Sequence, residues 1–381
     1  MFGDDRPRLR VLLDHFGLVG DERERWRVAH PLPEVLLLVV CGTIGACDDF
    51  DEIAEWGEDN LPFLRRFLPY HHGVPGSRWL RILLNRIDPA LFSEAFQSWA
   101  AALRPEAPAL VAIDGKTSRG SRDGTNGRAA LHLVSAFATR ERLVLGQEAV
   151  AAGGCEQDTI PLLLERLARK GGLEGTLVSI DAIGCNAKTA QAVLDAGADY
   201  LLAVKANQPG LMGEIERFFD DAPPGATDTA HDVDKGHGRV EERRATVSTR
   251  VEWLEGERRF PGEYRFPKIA AIAKVEAIAH EKGKTSRQTR YYVTSRPMTA
   301  AALAQAVRSH WAIENSLHWV LDVTFREDAA RSHTGHGPAN MAVVRHFAFN
   351  ILRSHDDKRS LKLRRNKAAR NTAYLAQILK P

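Results

Sequence analysis

Two stretches of the chain end alike: "LVAIDGKT" (110–117) and "LVSIDAIG" (177–184). Each is a mostly apolar, β-rich run that reaches isoleucine and then an aspartate, Asp114 or Asp181, where a strand is expected to give out. On neighbouring parallel strands the two carboxylates would emerge together at one sheet edge, where open α/β sheets place their sites. Bare carboxylates at that spacing repel unless a divalent cation lies between them. The competing reading is that one or both cap the following turn, and for Asp181 before "AIGCNAK" that reading has weight.

A third carboxylate comes from "ALAQAVRSHWAIENSLHWVLDV" (302–323). Leu303, Val307, His310, Glu314, Leu317 and Leu321 alternate in steps of four and three, which is one helical face. Glu314 stands in the middle of that face, where an unpaired charge is costly. A metal shared with the aspartates removes the cost, and an ion pair with an arginine is the structural alternative. His310, Glu314 and His318 also recur every fourth residue, as a separate transition-metal site would, although His318 lies at the edge of the stripe. Asp322, Glu327 and Asp328 are reserve candidates should Glu314 be structural. Two aspartates and a glutamate form an all-oxygen set suited to Mg²⁺, with Mn²⁺ as a substitute, and not to zinc. Two such ions clamp the attacking and leaving oxygens of a phosphodiester.

Gly115-Lys116-Thr117 invites a nucleotide-binding reading, which fails. The P-loop needs a glycine five residues before Gly115, and that place is Leu110, inside the strand.

These residues must be positioned by a large core. The chain has 381 residues, 44% hydrophobic and 27% charged, with a net charge of +3. That is an ordinary globular composition, and overall charge alone does not announce a polyanion. Charge distribution says more. Residues 358–370, the loop 115–128 and "KGHGRVEERR" (235–244) are basic clusters, and together they favour a nucleic-acid partner. Lys116 and Arg119 follow Asp114 closely enough to touch a bound phosphate. His237, Arg239 and Arg243 are DNA-contact candidates in the third cluster, where Glu241 would pair with either arginine in a structural hairpin. Cys41, Cys47, Cys155 and Cys185 show no C-x-x-C spacing, the pattern of reduced thiols in a cytoplasmic protein. The run from Val35 to Cys47 is too short to cross a membrane and reads as a buried helix.

The order of elements follows. Residues 1–105 read as a helical domain, a candidate for DNA binding. Within it 77–89 is a helix N-capped by Ser77, with Trp79, Ile82, Leu83 and Ile87 on its apolar face. Strands at 110–114, 131–138 and 142–150, the last two a hairpin, precede helix 157–170, strand 176–181, helix 186–197 and strand 200–205. Asn207 and Gln208 follow on the same edge. A helix at 210–220, a polar linker at 221–238 and strands at 239–249, 268–278 and 288–295 interrupt this core, and helices return at 299–325 and 338–353.

At these residues the chain resembles bacterial insertion-sequence transposases of the DDE type, in the H-repeat-associated branch. "AIDGKTSRGS", "SIDAIGCN", "YLLAVKANQP", "KGHGRVEERR" and the long run from "HWAIENSLHWVLDV" to "HFAFNIL" carry the likeness, in order, over most of 108–353. The resemblance implies an α/β fold: an RNase H-like mixed sheet with helices on both faces. It further implies a β-rich insertion (about 206–295) before the last catalytic helix, inside a catalytic domain of 106–353. The helical domain precedes that domain, and a basic C-terminal tail (354–381) follows it. Asp114, Asp181 and Glu314 would be the catalytic, metal-binding triad. The implied reaction is cleavage of double-stranded DNA at element ends and joining to target DNA, by a homodimer on paired inverted repeats, with no membrane partner. A catalytically inactive DNA-binding descendant and a structure-specific nuclease are the alternatives. Related transposases carry Tyr, Arg and Lys around the last glutamate where this chain has Val307, His310 and Leu321, which leaves His310 as the DNA-contact candidate in the arginine's place. "GGCEQD" (153–158) keeps only Glu156 of the run usual in this branch, and no role is assigned to it.

Overall fold

A computed structural model describes residues 8–104, 106–236, 239–254, 265–281 and 284–379. Residues 8–102 carry helices α1 (Arg8–Phe16), α2 (Leu32–Ile44), α3 (Phe50–Asp59), α4 (Leu61–Leu64), α5 (Ser77–Leu84) and α6 (Pro89–Ala102). In α2 every residue except Pro33 is buried, as a helix apolar on nearly all sides requires in water. Helix α5 starts from Gly76 as N-cap, not Ser77. Its buried face is Leu80, Leu83 and Leu84, while Ile82 is 45% exposed. The expected face was therefore rotated, because α3 and α12 pack on the leucines.

The chain then alternates: β1 (Leu110–Ser118), β2 (Leu131–Ala138), β3 (Leu143–Ala149), α7 (Glu156–Arg169), β4 (Leu177–Ile180), α8 (Ala187–Asp195), β5 (Asp199–Val204) and α9 (Pro209–Asp220). Next come β6 (Asp228–Gly236), β7 (Arg239–Ser248), β8 (Ala271–Glu281) and β9 (Lys284–Thr294). A nearly continuous helical rod follows: α10 (Ala300–His310), a π-helical turn at Glu314–His318, and α11 (Trp319–Val323). The last elements are α12 (Gly337–Ser354), α13 (Leu361–Arg370) and α14 (Thr372–Leu379).

Among the described residues all nine strands form one sheet, in the order β3-β2-β1-β4-β5-β9-β8-β7-β6. β1, β2 and β3 are antiparallel neighbours, whereas β1, β4 and β5 run parallel. This is the RNase H-like arrangement, with the first and fourth strands side by side. All four residues of β4 are buried, as a strand covered on both faces must be. The β-rich insertion continues the sheet through the β5–β9 pair, Leu201↔Thr294 to Val204↔Tyr291.

Two details depart from the sequence reading. β1 does not stop at Asp114; it pairs with β2 through Ser118↔Leu131 after leaving β4. The stretch read as a linker contains β6, a polar strand on the sheet edge. Its Asp232 and Asp234 hold Arg308 of α10. Charge on an exposed edge is the usual guard against unwanted pairing, and it hides the strand's alternation.

Helices cover both faces. Helices α7, α8 and α9 bury the Val111, Ile113, Val178 and Ile180 side. On the other side, the amino-terminal helices and α12 pack over Ala112, Phe137 and Val144, and α10 over Leu201, Ala203 and Ala273. Asn350 of α12 closes the β3 edge, accepting from the Val144 N–H at 2.9 Å and donating to its carbonyl at 2.8 Å. The basic run 358–370 is only partly a solvent face. Arg364 and Arg365 are buried, and Arg365 donates to the Thr43 and Cys47 carbonyls.

Candidate metal centre

The β1–β4 register runs from Leu110↔Leu177 to Ile113↔Ile180, so Asp114 and Asp181 follow at the same height on adjacent parallel strands. Glu314 arrives from the opposite direction, at the first position of the π turn. Such turns insert an extra residue into a helix and recur at functional sites. Ile313 and Leu317, both fully buried, anchor the rod on either side of it. All three carboxylates line one cavity of about 120 Å³, with Lys205, Arg290 and Trp311 around them.

The capping reading of Asp181 holds, and the same side chain is at the cavity. It accepts a 2.9 Å hydrogen bond from the Ile183 N–H, capping the turn Ala182–Gly184. The expectation for Glu314 needs correcting. Its side chain is 52% exposed, because the apolar stripe opens into the cavity at that point instead of closing over it.

Burial pushes the Asp114 carboxyl up to about 7; the His318 ring opposes the shift, and the Glu314 and Asp181 charges add to it. Glu314 is held below its usual value, chiefly by the same ring. His318 is almost fully buried, and its Nδ1 lies 3.6 Å from Asp114 Oδ2 and 3.7 Å from Glu314 Oε2. One ligand atom each from Asp114, Glu314 and His318 lie within 4.8 Å of one another. A carboxylate pushed toward protonation by burial and by two neighbouring carboxylates is a poor structural element and a good cation ligand. The donor set therefore fits a hard divalent ion, with oxygen ligands predominant.

The basic candidates have varied surroundings. Lys116 does not reach out toward solvent: its Nζ lies 2.7 Å from Asp322, 2.9 Å from Glu327 and 3.7 Å from Asp328. Burial works against its charge, but those carboxylates prevail and hold its pKa above the usual value. The three reserve carboxylates are thus engaged with Lys116, and Glu314 is the one at the cavity. Arg119 is 84% exposed, while its backbone N–H donates to Asp328 at 3.0 Å. His310 faces the cavity with Nδ1 2.9 Å from Ser179 Oγ, and burial lowers its pKa. Arg243 pairs with Glu241 at 2.7 Å, on a strand three places from β5. Arg239 opens β7, and His237 lies outside the described residues.

Asn207 and Gln208 brace the segment after Asp181, donating to the Ala182 and Cys185 carbonyls. Glu156, left without a role, accepts a hydrogen bond from His132 Nε2 at 2.7 Å and packs where a Gly115 side chain would be. Glycine is required at Gly120 as well, since a Cβ there would meet the Asp328 and Ala330 carbonyls at 2.6 Å. Lys205 was legible by the edge argument used for the aspartates, because it directly follows β5. Arg290, reaching in from β9, had no local signal. A larger cleft of about 550 Å³, lined by Asp49, Glu52, Arg81 and Arg331 among others, lies apart from these carboxylates. No helix among the described residues is long and apolar enough to cross a membrane.

Comparison with known proteins adds a family. Residues 105–351 match the transposase DDE domain, and residues 13–100 match the DDE_Tnp_1-associated domain. The chain is 34% identical over 380 residues to "Putative transposase YncI" of Escherichia coli O157:H7, covering 97% of this chain and 95% of that one. It is 33% identical over 379 residues to "H repeat-associated putative transposase YhhI" of Escherichia coli K12, covering 97% and 98%. A solved piggyBac transposase synaptic complex with hairpin DNA aligns at 11% identity and a TM-score of 0.44, covering 97% of this chain and 76% of that one.

Proposed function

The chain belongs to the transposase DDE domain family, and we propose that it cuts DNA at the ends of an insertion sequence and joins those ends to target DNA, with Asp114, Asp181 and Glu314 as a divalent-ion triad. The observation that carries this reading is the meeting of three carboxylates from three separate chain segments in one cavity. Divalent ions bound there supply charge that activates the attacking oxygen and stabilises the leaving oxygen of a phosphodiester.

The protein's own groups do the rest. Asp114 sits between the other two carboxylates and is the natural shared ligand. Its raised pKa means that an ion must displace a proton below about pH 7. Lys205 and Arg290 supply positive charge at the cavity for the backbone phosphate that enters it. Arg119, in the segment after β1, offers an exposed guanidinium 3.8 Å from Asp328. His310, held by Ser179 through Nδ1, would hydrogen-bond a phosphate oxygen through its other nitrogen. Double-stranded DNA is the partner, bound by a homodimer that pairs two element ends.

The test uses purified protein, Mg²⁺ and duplex DNA carrying the inverted repeats that bracket the gene. Asp114→Asn, Asp181→Asn and Glu314→Gln should each remove nicking and strand joining while leaving repeat binding intact. Nicking that persists in any of the three would remove that residue from the triad. Salt-sensitive binding without nicking in the parent protein would identify an inactive DNA-binding descendant.

A further inference from the structure

We propose that His318 is a direct ligand of the divalent ion bound between Asp114 and Glu314, making that half of the site a mixed nitrogen–oxygen centre. The inference rests on the triad reading above and adds to it a residue that reading does not contain.

His318 is 6% exposed at its side chain, and its Nε2 is buried with no hydrogen-bond partner. Its Nδ1 points at two carboxylates from distances of 3.6 and 3.7 Å, which are too long for hydrogen bonds. A buried imidazole oriented by no hydrogen bond needs another reason for its placement. Two ligand atoms each about 2.1–2.2 Å from one ion sit about 3.0–3.6 Å apart when they share an edge of its coordination shell. The observed separations, 3.6 and 3.7 Å, lie at or just beyond the upper end of that range, so a shift of a few tenths of an ångström brings these atoms onto a common ion.

Local geometry supplies the second reason. Glu314 and His318 are the first and last residues of the π turn. The wider turn keeps residues four apart on one face, and fully buried Leu317 fixes its orientation. Asp114 reaches the same point from β1, so three ligands come from two rigid elements. Asp181 lies outside this three-atom group. Asp114 would then face an all-oxygen half with Asp181 and a histidine-containing half with Glu314. Imidazole raises affinity for Mn²⁺ and its softer neighbours relative to Mg²⁺, so the two halves should differ in metal preference.

The full-length protein loaded with Mn²⁺ tests this by electron spin echo spectroscopy, without any DNA or turnover. Coupling of bound Mn²⁺ to a histidine nitrogen is expected, shifting to the ¹⁵N pattern when the protein is grown with ¹⁵N-histidine. It should vanish in His318→Gln and in His318→Asp and persist in His310→Gln. Mn²⁺ affinity by titration calorimetry should fall at least about tenfold in His318→Gln. Bound Mn²⁺ with no nitrogen coupling in the parent protein would overturn the proposal, and so would coupling that survives in a folded His318 variant. The parent spectrum decides even if a variant fails to fold. Failure of the triad reading looks different: Asp114→Asn and Glu314→Gln would then leave Mn²⁺ binding unchanged.

Discussion

Lys116 of β1 meets the buried carboxylate of Glu327 at 2.9 Å, with Asp322 at 2.7 Å on its other side. The pair ties the strand that carries Asp114 to the segment that follows the Glu314 helix. Lys116 lies two residues beyond Asp114 on the same face of β1, so this tie sets how far the aspartate stands from the glutamate.

Removing the lysine should therefore cost both stability and geometry. Glu327 is 2% exposed and would keep only Arg345, at 3.8 Å. Lys116→Met is expected to destabilise the fold by roughly 3 kcal/mol, the cost of stranding one member of a buried pair. Adding Glu327→Gln should return part of that loss. Urea unfolding of the two single variants and the double variant measures the coupling, and additive losses would show that the pair does not act as a unit.

Asp114 predicts the opposite sign. Its carboxyl is pushed from an ordinary value of 3.8 up to about 7. The folded state thus favours the protonated form, and its stability falls as pH rises from about 4 to 7. Asp114→Asn should make the metal-free protein more stable at pH 8, by no more than about 4 kcal/mol. At pH 4 the two proteins should melt nearly together. Thermal melts with a chelator present check this, and an Asn variant that melts lower at pH 8 contradicts it.

His346 gives a second pH dependence. It is buried on α12, facing Glu327, His318, Arg345 and Lys116, and burial lowers its pKa to about 4. The unfolded chain binds the proton first, so the contribution is complete above about pH 6.5 and is lost as pH falls toward 4. Replacing it with glutamine should flatten the fall in urea midpoint across that window, which is worth up to about 3 kcal/mol. Equal slopes for parent and variant would remove His346 as a source.

Gly115 tests the packing behind the site. A Cβ there would lie 2.2 Å from the Glu156 carboxylate. That carboxylate must swing away and give up His132, so Gly115→Ala should cost about 1–2 kcal/mol. Glu156→Ala in the same chain should suppress most of the loss. Calorimetric melts of the single and double variants decide, and a Gly115→Ala protein that melts with the parent counts against the contact.

Much of the site was readable from local patterns. Asp181 was recognisable because β4, covered on both faces, is mostly apolar, so a carboxylate marks its end; Asp114 stood out by the same pattern, although β1 runs on past it to Ser118. Glu314 stood out because a helix packed on a sheet repeats every three to four residues and a charge in that stripe breaks the repeat. Both signals are local, since burial of one strand or one helix face writes its period directly into the residues.

Other features had no such trace. β6 is a polar edge strand whose residues alternate without an apolar face, so nothing in its composition distinguished it from a linker. The partners of Lys116 lie about two hundred residues away, and only the packing of the rod against β1 turns a basic residue near an aspartate into a buried tie. The same contact decides that His318, at the margin of the helical stripe, faces two carboxylates while His310 faces Ser179. Sequence by itself determined which residue types end the strands and break the helix stripe, because secondary structure and burial follow short-range periodicity. Tertiary structure alone decided which of those groups share a cavity, because that depends on strand register and on the phase shift of one π turn.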